Sequence, residues 1–141
     1  MRKTSGIRRL IRVVAITGIE RYPVFSPMIC DYKCGMVVSI PFFTDMLCGG
    51  LKPGNVRDIL REHYAGETLV KVRPAGFTGN MIGANNFDGR DDMEIELNGN
   101  DDRFVITARF DNLGKGASGA AVQCMNLACG MEEERSLVLG D

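Results

Sequence analysis

Six residues near the end of the chain, Gly114-Lys115-Gly116-Ala117-Ser118-Gly119, satisfy the G-x-G-x-x-G spacing of a phosphate-cradling turn. Such a turn holds a pyrophosphate when it leads from a strand into a helix inside a strand-helix-strand unit, with a later acidic residue taking the ribose. Here an expected strand precedes the run and an expected helix follows it, but only the tail MEEERSLVLGD comes after that helix. Glu132 to Glu134 therefore have no second parallel strand to end. The three glycines are read as room for a sharp strand-to-helix turn and for close helix packing.

The other reactive side chains are scattered. Five cysteines stand at positions 30, 34, 48, 124 and 129, without the tight paired spacing of a zinc ribbon, so no metal site is expected and they read as small buried hydrophobes. His63 is the only histidine, and it reads as a surface or boundary residue of a helix. An independent enzyme using Ser118 or Cys124 as nucleophile would lack a nearby histidine base in sequence.

The elements that must position these groups follow from periodicity. Gly35 to Phe43 (GMVVSIPFF) is apolar on both alternating faces, which predicts a core strand buried from two sides and ending near Pro41. After Gly49-Gly50, Pro53 suits a first helical turn, and Val56, Ile59, Leu60 and Tyr64 at helical spacing predict an amphipathic helix closed near Gly66. Thr68 to Arg73 reads as a strand with Val70 and Val72 inward and Lys71 and Arg73 in water. Ala75 to Asp92 shows no sustained period and reads as a long functional or mobile loop. Met93, Ile95 and Leu97 alternate with Glu94 and Glu96, and Phe104, Ile106, Ala108 and Phe110 resume the alternation after Asn98-Gly99-Asn100-Asp101. That predicts a hairpin with one apolar face. From Ala117 on, Ala121, Cys124, Met125 and Ala128 share a helical face, and Gly130 supplies a stop.

Composition bounds the rest. With 141 residues, 45% of them hydrophobic, the chain is long enough for one ordinary core. A net charge of -1 gives no electrostatic footprint for nucleic acid. The basic start (Arg2, Lys3, Arg8, Arg9, Arg12) and the short apolar run Val13 to Ile19 suit neither a signal peptide nor a membrane helix, so a cytoplasmic protein is the expectation.

The run DNLGKGASGAAVQCMNL, Asp111 to Leu127, closely resembles the signature near the carboxy terminus of N-acetyl-gamma-glutamyl-phosphate reductases. The segments TGIERYPVFSP (17 to 27), CGMVVSIPFF (34 to 43) and NNFDGRDDMEIELNGNDDRFVITARFDNLGKG (85 to 116) resemble the shorter bacterial subtype in the same order. The resemblance covers nearly everything after about residue 15. It implies an α+β fold, a mixed, largely antiparallel sheet with helices on one face, like the carboxy-terminal domain of glyceraldehyde-3-phosphate dehydrogenase, with the Rossmann domain missing. The implied division is a divergent basic start over 1–12, a catalytic and dimerisation-type domain over 13–110, a helix over 111–131 that packs on the NADP domain in the family, and a tail over 132–141.

Family members reduce an N-acetylated glutamyl phosphate with NADPH in arginine biosynthesis, through a thioester on a cysteine, with a histidine handling protons. The nucleophile's Pro-Gly-Cys-His-like or Gly-Cys-Tyr-like motif and the Gly-rich NADP loop have no match here, and the family's histidine would fall upstream of Val13. The resemblance therefore implies no catalytic residue in this chain and no cofactor bound by the chain alone. It does imply cofactor proximity for Asn112, Lys115, Gly116 and Ala117. The implied partners are further copies of the chain or the missing nucleotide-binding domain, with a small acyl phosphate as substrate of the intact enzyme. The alternative is a self-association or docking module that binds an intact reductase subunit.

Overall fold

A computed structural model describes residues 13–20, 22–74 and 81–140. The basic residues of the first dozen positions and the first part of the 75–92 segment lie outside the described residues. The backbone divides into two compact units, Met1–Asp31 and Tyr32–Asp141. In the first, residues 13–17 are helical and residues 22–30 carry no regular structure. No helix among the described residues is long and apolar enough to cross a membrane.

The second unit is built on a four-stranded sheet in the order β1-β4-β3-β2, where β1 is Met36–Phe43, β2 Val70–Val72, β3 Met93–Gly99 and β4 Arg103–Phe110. β1–β4 and β3–β4 are antiparallel and β2–β3 is parallel, so the sheet is mixed and largely antiparallel, as the resemblance implied. The hairpin forms where the alternation predicted it. Asn100 Oδ1 accepts the N–H groups of Asp102 and Arg103, both at 3.0 Å, which turns the chain back on itself.

Paired strand residues share a face, so the register fixes two sides of the sheet. On one side Ile95, Leu97 and Phe104 form the buried core. Helix α1, Pro53–His63, covers them with Val56, Leu60 and Tyr64. Pro53 occupies its first turn, and Asn55 Oδ1 accepts the Lys52 N–H at 2.9 Å, satisfying a backbone donor at the entry. Ile59 points off this face and is exposed.

Two expectations fail here. β1 is an edge strand, and its Met36, Val38 and Ile40 stay exposed on the core side. An apolar run is not by itself evidence of a cover. Pro41 does not end the strand, because an edge tolerates a missing ladder donor. The second failure concerns the hairpin's polar side, since Glu94 and Glu96 are 4% and 1% exposed rather than solvated. Lys71 and Arg73 accordingly do not stand free in water. Arg73 and Arg109 both bond Glu94, and Lys71 and Arg90 pair with Asp92. Charges enter this side because Glu94 and Asp92 each meet cations there.

The described part of the long loop, expected to be functional or mobile, packs on the sheet. Phe87 is 2% exposed, with the Arg90 guanidinium 4.1 Å from its ring centroid and that of Arg109 5.3 Å away. The end of the chain joins it. Asp91 N–H donates to Val138 O at 2.7 Å, Val138 N–H returns to Asp91 Oδ2 at 2.9 Å, and Lys71 Nζ donates to Gly140 O at 2.5 Å.

Candidate functional site

The site begins where β4 ends. Asp111 is buried, and its Oδ1 accepts the Leu113 N–H at 2.7 Å while Oδ2 accepts the Gly89 N–H at 2.7 Å. Burial alone would raise its carboxyl, but these donors and the Gly114 N–H outweigh burial and hold it below the usual carboxylate range. The carboxylate thereby ties the loop at Gly89 to the turn that follows.

That turn is a π-helix over Gly114–Ser118, with Gly116 N–H on Asp111 O at 2.8 Å and Ser118 N–H on Leu113 O at 2.9 Å. Wide turns of this kind are frequent at functional sites. Two of its flanking glycines are there for space. A Cβ on Gly114 would come within 2.4 Å of Arg90 O, and one on Gly119 within 2.1 Å of Asp91 Oδ1. The G-x-G-x-x-G match is thus a steric requirement of the loop packed beside it, in line with the reading from sequence.

Helix α2, Gly119–Ala128, leaves the turn. It stops at Gly130 (φ +65°), where Gly130 N–H bonds Leu127 O at 3.1 Å and Met131 N–H bonds Asn126 O at 2.9 Å. Two carbonyls of the last turn are satisfied in that way. Asn126, 2% exposed, uses its amide to hold the carbonyls of Glu133 and Arg135 at 3.0 and 2.8 Å. Ala121, Cys124, Met125 and Ala128, the face expected from periodicity, are all exposed.

Of the residues singled out from sequence, Asn112 is half-buried and its Oδ1 accepts the Gly35 N–H at 2.8 Å. Lys115 is half-buried, and Nζ donates to Gln123 Oε1 at 2.7 Å, whose amide in turn reaches Glu133 at 2.5 Å. Burial lowers the Lys115 ammonium's proton affinity, against the opposing pull of Glu133, Asp91 and Asp92. Gly116 and Ala117 are exposed on the outside of the turn. Ser118 Oγ is committed to Leu113 O at 2.7 Å.

The cysteines depart from expectation. Only Cys34 is buried; Cys30, Cys48, Cys124 and Cys129 are exposed. A sulfur, an Asp88 oxygen and an Asp111 oxygen meet at Cys34, all within 4.8 Å of one another. Burial pushes the Cys34 thiol up, and the hydrogen bond to Asp88 and the charge of Asp111 push it further. A thiol pushed up in this way is a poorer nucleophile. His63 is exposed on α1 with its ring edge-on to Tyr64, at 4.7 Å between centroids.

Gly35 and the clamping role of the Asp111 carboxylate were not singled out by sequence reasoning. Gly35 looks like any glycine before a strand, and an aspartate in a turn looks solvated.

A four-stranded, largely antiparallel mixed sheet with one covering helix and a shaped turn into a last helix is an α+β architecture rather than a dinucleotide fold. The model of the semialdehyde dehydrogenase dimerisation domain matches residues 10–112, and the chain belongs to that family. Curated relatives named N-acetyl-gamma-glutamyl-phosphate reductase include those of Brucella ovis, Brucella canis and Brucella abortus, each 40% identical over 116 residues. The match takes in 79% of this chain and 37% of each relative, so the chain spans little more than a third of their length.

Proposed function

We propose that this chain is the interface and cofactor-capping part of an NADPH-dependent N-acetyl-gamma-glutamyl-phosphate reductase of arginine biosynthesis in the cytoplasm, and that it turns over nothing by itself. In this reading Asn112, Lys115, Gly116 and Ala117 face the cofactor, and the helix from 111 to 131 packs against the nucleotide-binding domain. The observation that carries it is the Asp111–Asn112 step. Asp111 is clamped by backbone donors from two segments, and Asn112 stands half-exposed beside an open-faced turn. NADPH, where bound, supplies hydride; this chain's residues orient it and exclude water from one side.

The lack of turnover rests on the thiols. Displacing phosphate from an acyl phosphate needs a thiolate with a proton carrier beside it. Cys34 is a poorer nucleophile for its burial, and His63 lies against Tyr64 on α1. The test is to follow NADPH formation from N-acetylglutamate semialdehyde, phosphate and NADP+. The chain alone and the separately produced nucleotide-binding part of the Brucella ovis relative should each be silent, and their mixture active. Turnover by the chain alone, or a mixture as silent as its parts, defeats the proposal.

A second reading, self-association or docking onto an intact reductase subunit, is favoured by the uncovered stripe Met36, Val38 and Ile40 and by the exposed Met125 and Leu127 on α2.

A further inference from the structure

We propose that Cys34, Asp88 and Asp111 form a binding site for one divalent cation of the Zn2+ type, spanning the entry to β1, the loop before β3 and the exit from β4. The site stands apart from the reductase reading, since it needs neither cofactor nor substrate.

Only the fold brings these three groups together, which is why cysteine spacing pointed to no metal. The Cys34 sulfur and one oxygen of each carboxylate lie within 4.8 Å of one another. Ligands at the corners of a Zn2+ tetrahedron, with bonds of about 2.0 to 2.3 Å, stand roughly 3.4 to 3.8 Å apart, so the cluster closes on an ion by about an ångström at its widest. Cys34 is 7% and Asp111 2% exposed, whereas Asp88 is exposed and gives the ion its way in.

Two observations point to a cation. The donor set is mixed, a soft sulfur with two hard oxygens from three separate segments, and that combination suits a borderline ion such as Zn2+. The thiol, more than nine-tenths buried, is aimed into the carboxylate pair: Asp88 takes its hydrogen bond, the Asp111 charge stands beside it, and the Lys33 ammonium opposes them. A divalent cation neutralises that negative surplus. On binding, the S–H bond breaks, its proton leaves to solvent, and the sulfur pair forms the bond to the metal. Three protein ligands leave a fourth position for water.

The ligands are held in advance. Asp111 is fixed by the Leu113 and Gly89 N–H groups, and each of its oxygens keeps a second lone pair. Gly35, next to Cys34, has φ +118°, and a Cβ there would lie 2.2 Å from Ala84 O and 2.9 Å from Asn85 Cα. The loop that carries Asp88 therefore packs on the backbone that carries Cys34, and through Gly89 it also clamps Asp111.

The test uses the full chain, stripped with a chelator, with Cys30, Cys48, Cys124 and Cys129 changed to serine; all four are exposed, so Cys34 becomes the one remaining thiol. Co2+ titration should raise a thiolate-to-cobalt charge-transfer band that saturates at one ion per chain and is displaced by Zn2+. Cys34→Ser should abolish the band. Asp88→Asn, an exposed change that leaves the fold intact, should weaken binding at least roughly tenfold. Zn2+ should also raise the melting temperature of the chain, and raise that of Asp88→Asn less. Absence of the band, or a band whose midpoint is the same in Asp88→Asn, overturns the proposal.

Discussion

The two halves of the sheet differ in pattern, β1 apolar on both faces and β3 apolar on one, and they meet opposite fates. β3 is buried on both sides, with Ile95 and Leu97 under α1 and with Glu94 and Glu96 4% and 1% exposed on the other side. β1 lies at the sheet edge with Val38 and Ile40 40% and 47% exposed, and of its residues only Val37 and Phe42 are half-buried. The buried half uses charge inside and the exposed half uses hydrocarbon outside. A surface that is apolar where it meets water is built to be covered by something else, whereas an interior that holds carboxylates is built to be specific.

The largest expected effect is at the centre of the buried half. Phe87→Ala should lower unfolding free energy by about 3 to 5 kcal/mol, because it opens a cavity and removes the ring under two guanidinium groups. A loss under about 1 kcal/mol in denaturant titration would mean the loop is not part of the core.

Glu94→Gln comes next. It leaves Arg109, whose side chain is 6% exposed, without a carboxylate, and removal of one member of a buried pair destabilises by about 3 kcal/mol or more. If Glu94→Gln is as stable as the wild type, the polar side is solvated and the contrast between the halves collapses.

Acid should act on the same half. For Asp92, burial raises the carboxyl, but the hydrogen bond and charge of Arg90, the Gly140 backbone and Lys71 lower it further than burial lifts it. Asp111 is depressed as well. A carboxylate with a lowered folded value stabilises the fold in full at neutral pH. That stabilisation begins to go near pH 4, where an unfolded aspartate takes up its proton at about 3.9. It is lost as pH falls on through the folded values. Unfolding free energy that stays flat between pH 6 and pH 3 would contradict this sign.

The smallest effect on folding sharpens the comparison from the other side. Val38→Ser on the open half should change unfolding free energy of the monomer by under about 0.5 kcal/mol, as exposed positions do. It should nonetheless weaken self-association in sedimentation measurements. A variant that unfolds but associates unchanged would show that β1 is covered within its own chain.

Much of the scaffold was legible. The hairpin, α1 with Val56, Leu60 and Tyr64 facing the core, and the stop of α2 at Gly130 all follow from local rules of period, turn chemistry and capping. Within the candidate site, Asn112 and the Lys115 to Ala117 turn were marked by resemblance, and Gly114 and Gly119 were read from sequence as room for a sharp turn and close packing. Gly35 was not marked, because its demand comes from Ala84 and Asn85, far away in sequence. Nor were the buried glutamates, since alternation is the same whether the polar face meets water or a layer of arginines.

What the chain's own sequence determined is therefore local: where strands, helices and turns lie. Tertiary structure alone decided which faces are covered, which of the five cysteines is buried, and which way the Asn112 amide points. The reason is range. Period and capping act within a turn or two of the backbone, whereas burial and hydrogen-bond direction are set by segments such as 84–91 that arrive from elsewhere in the chain.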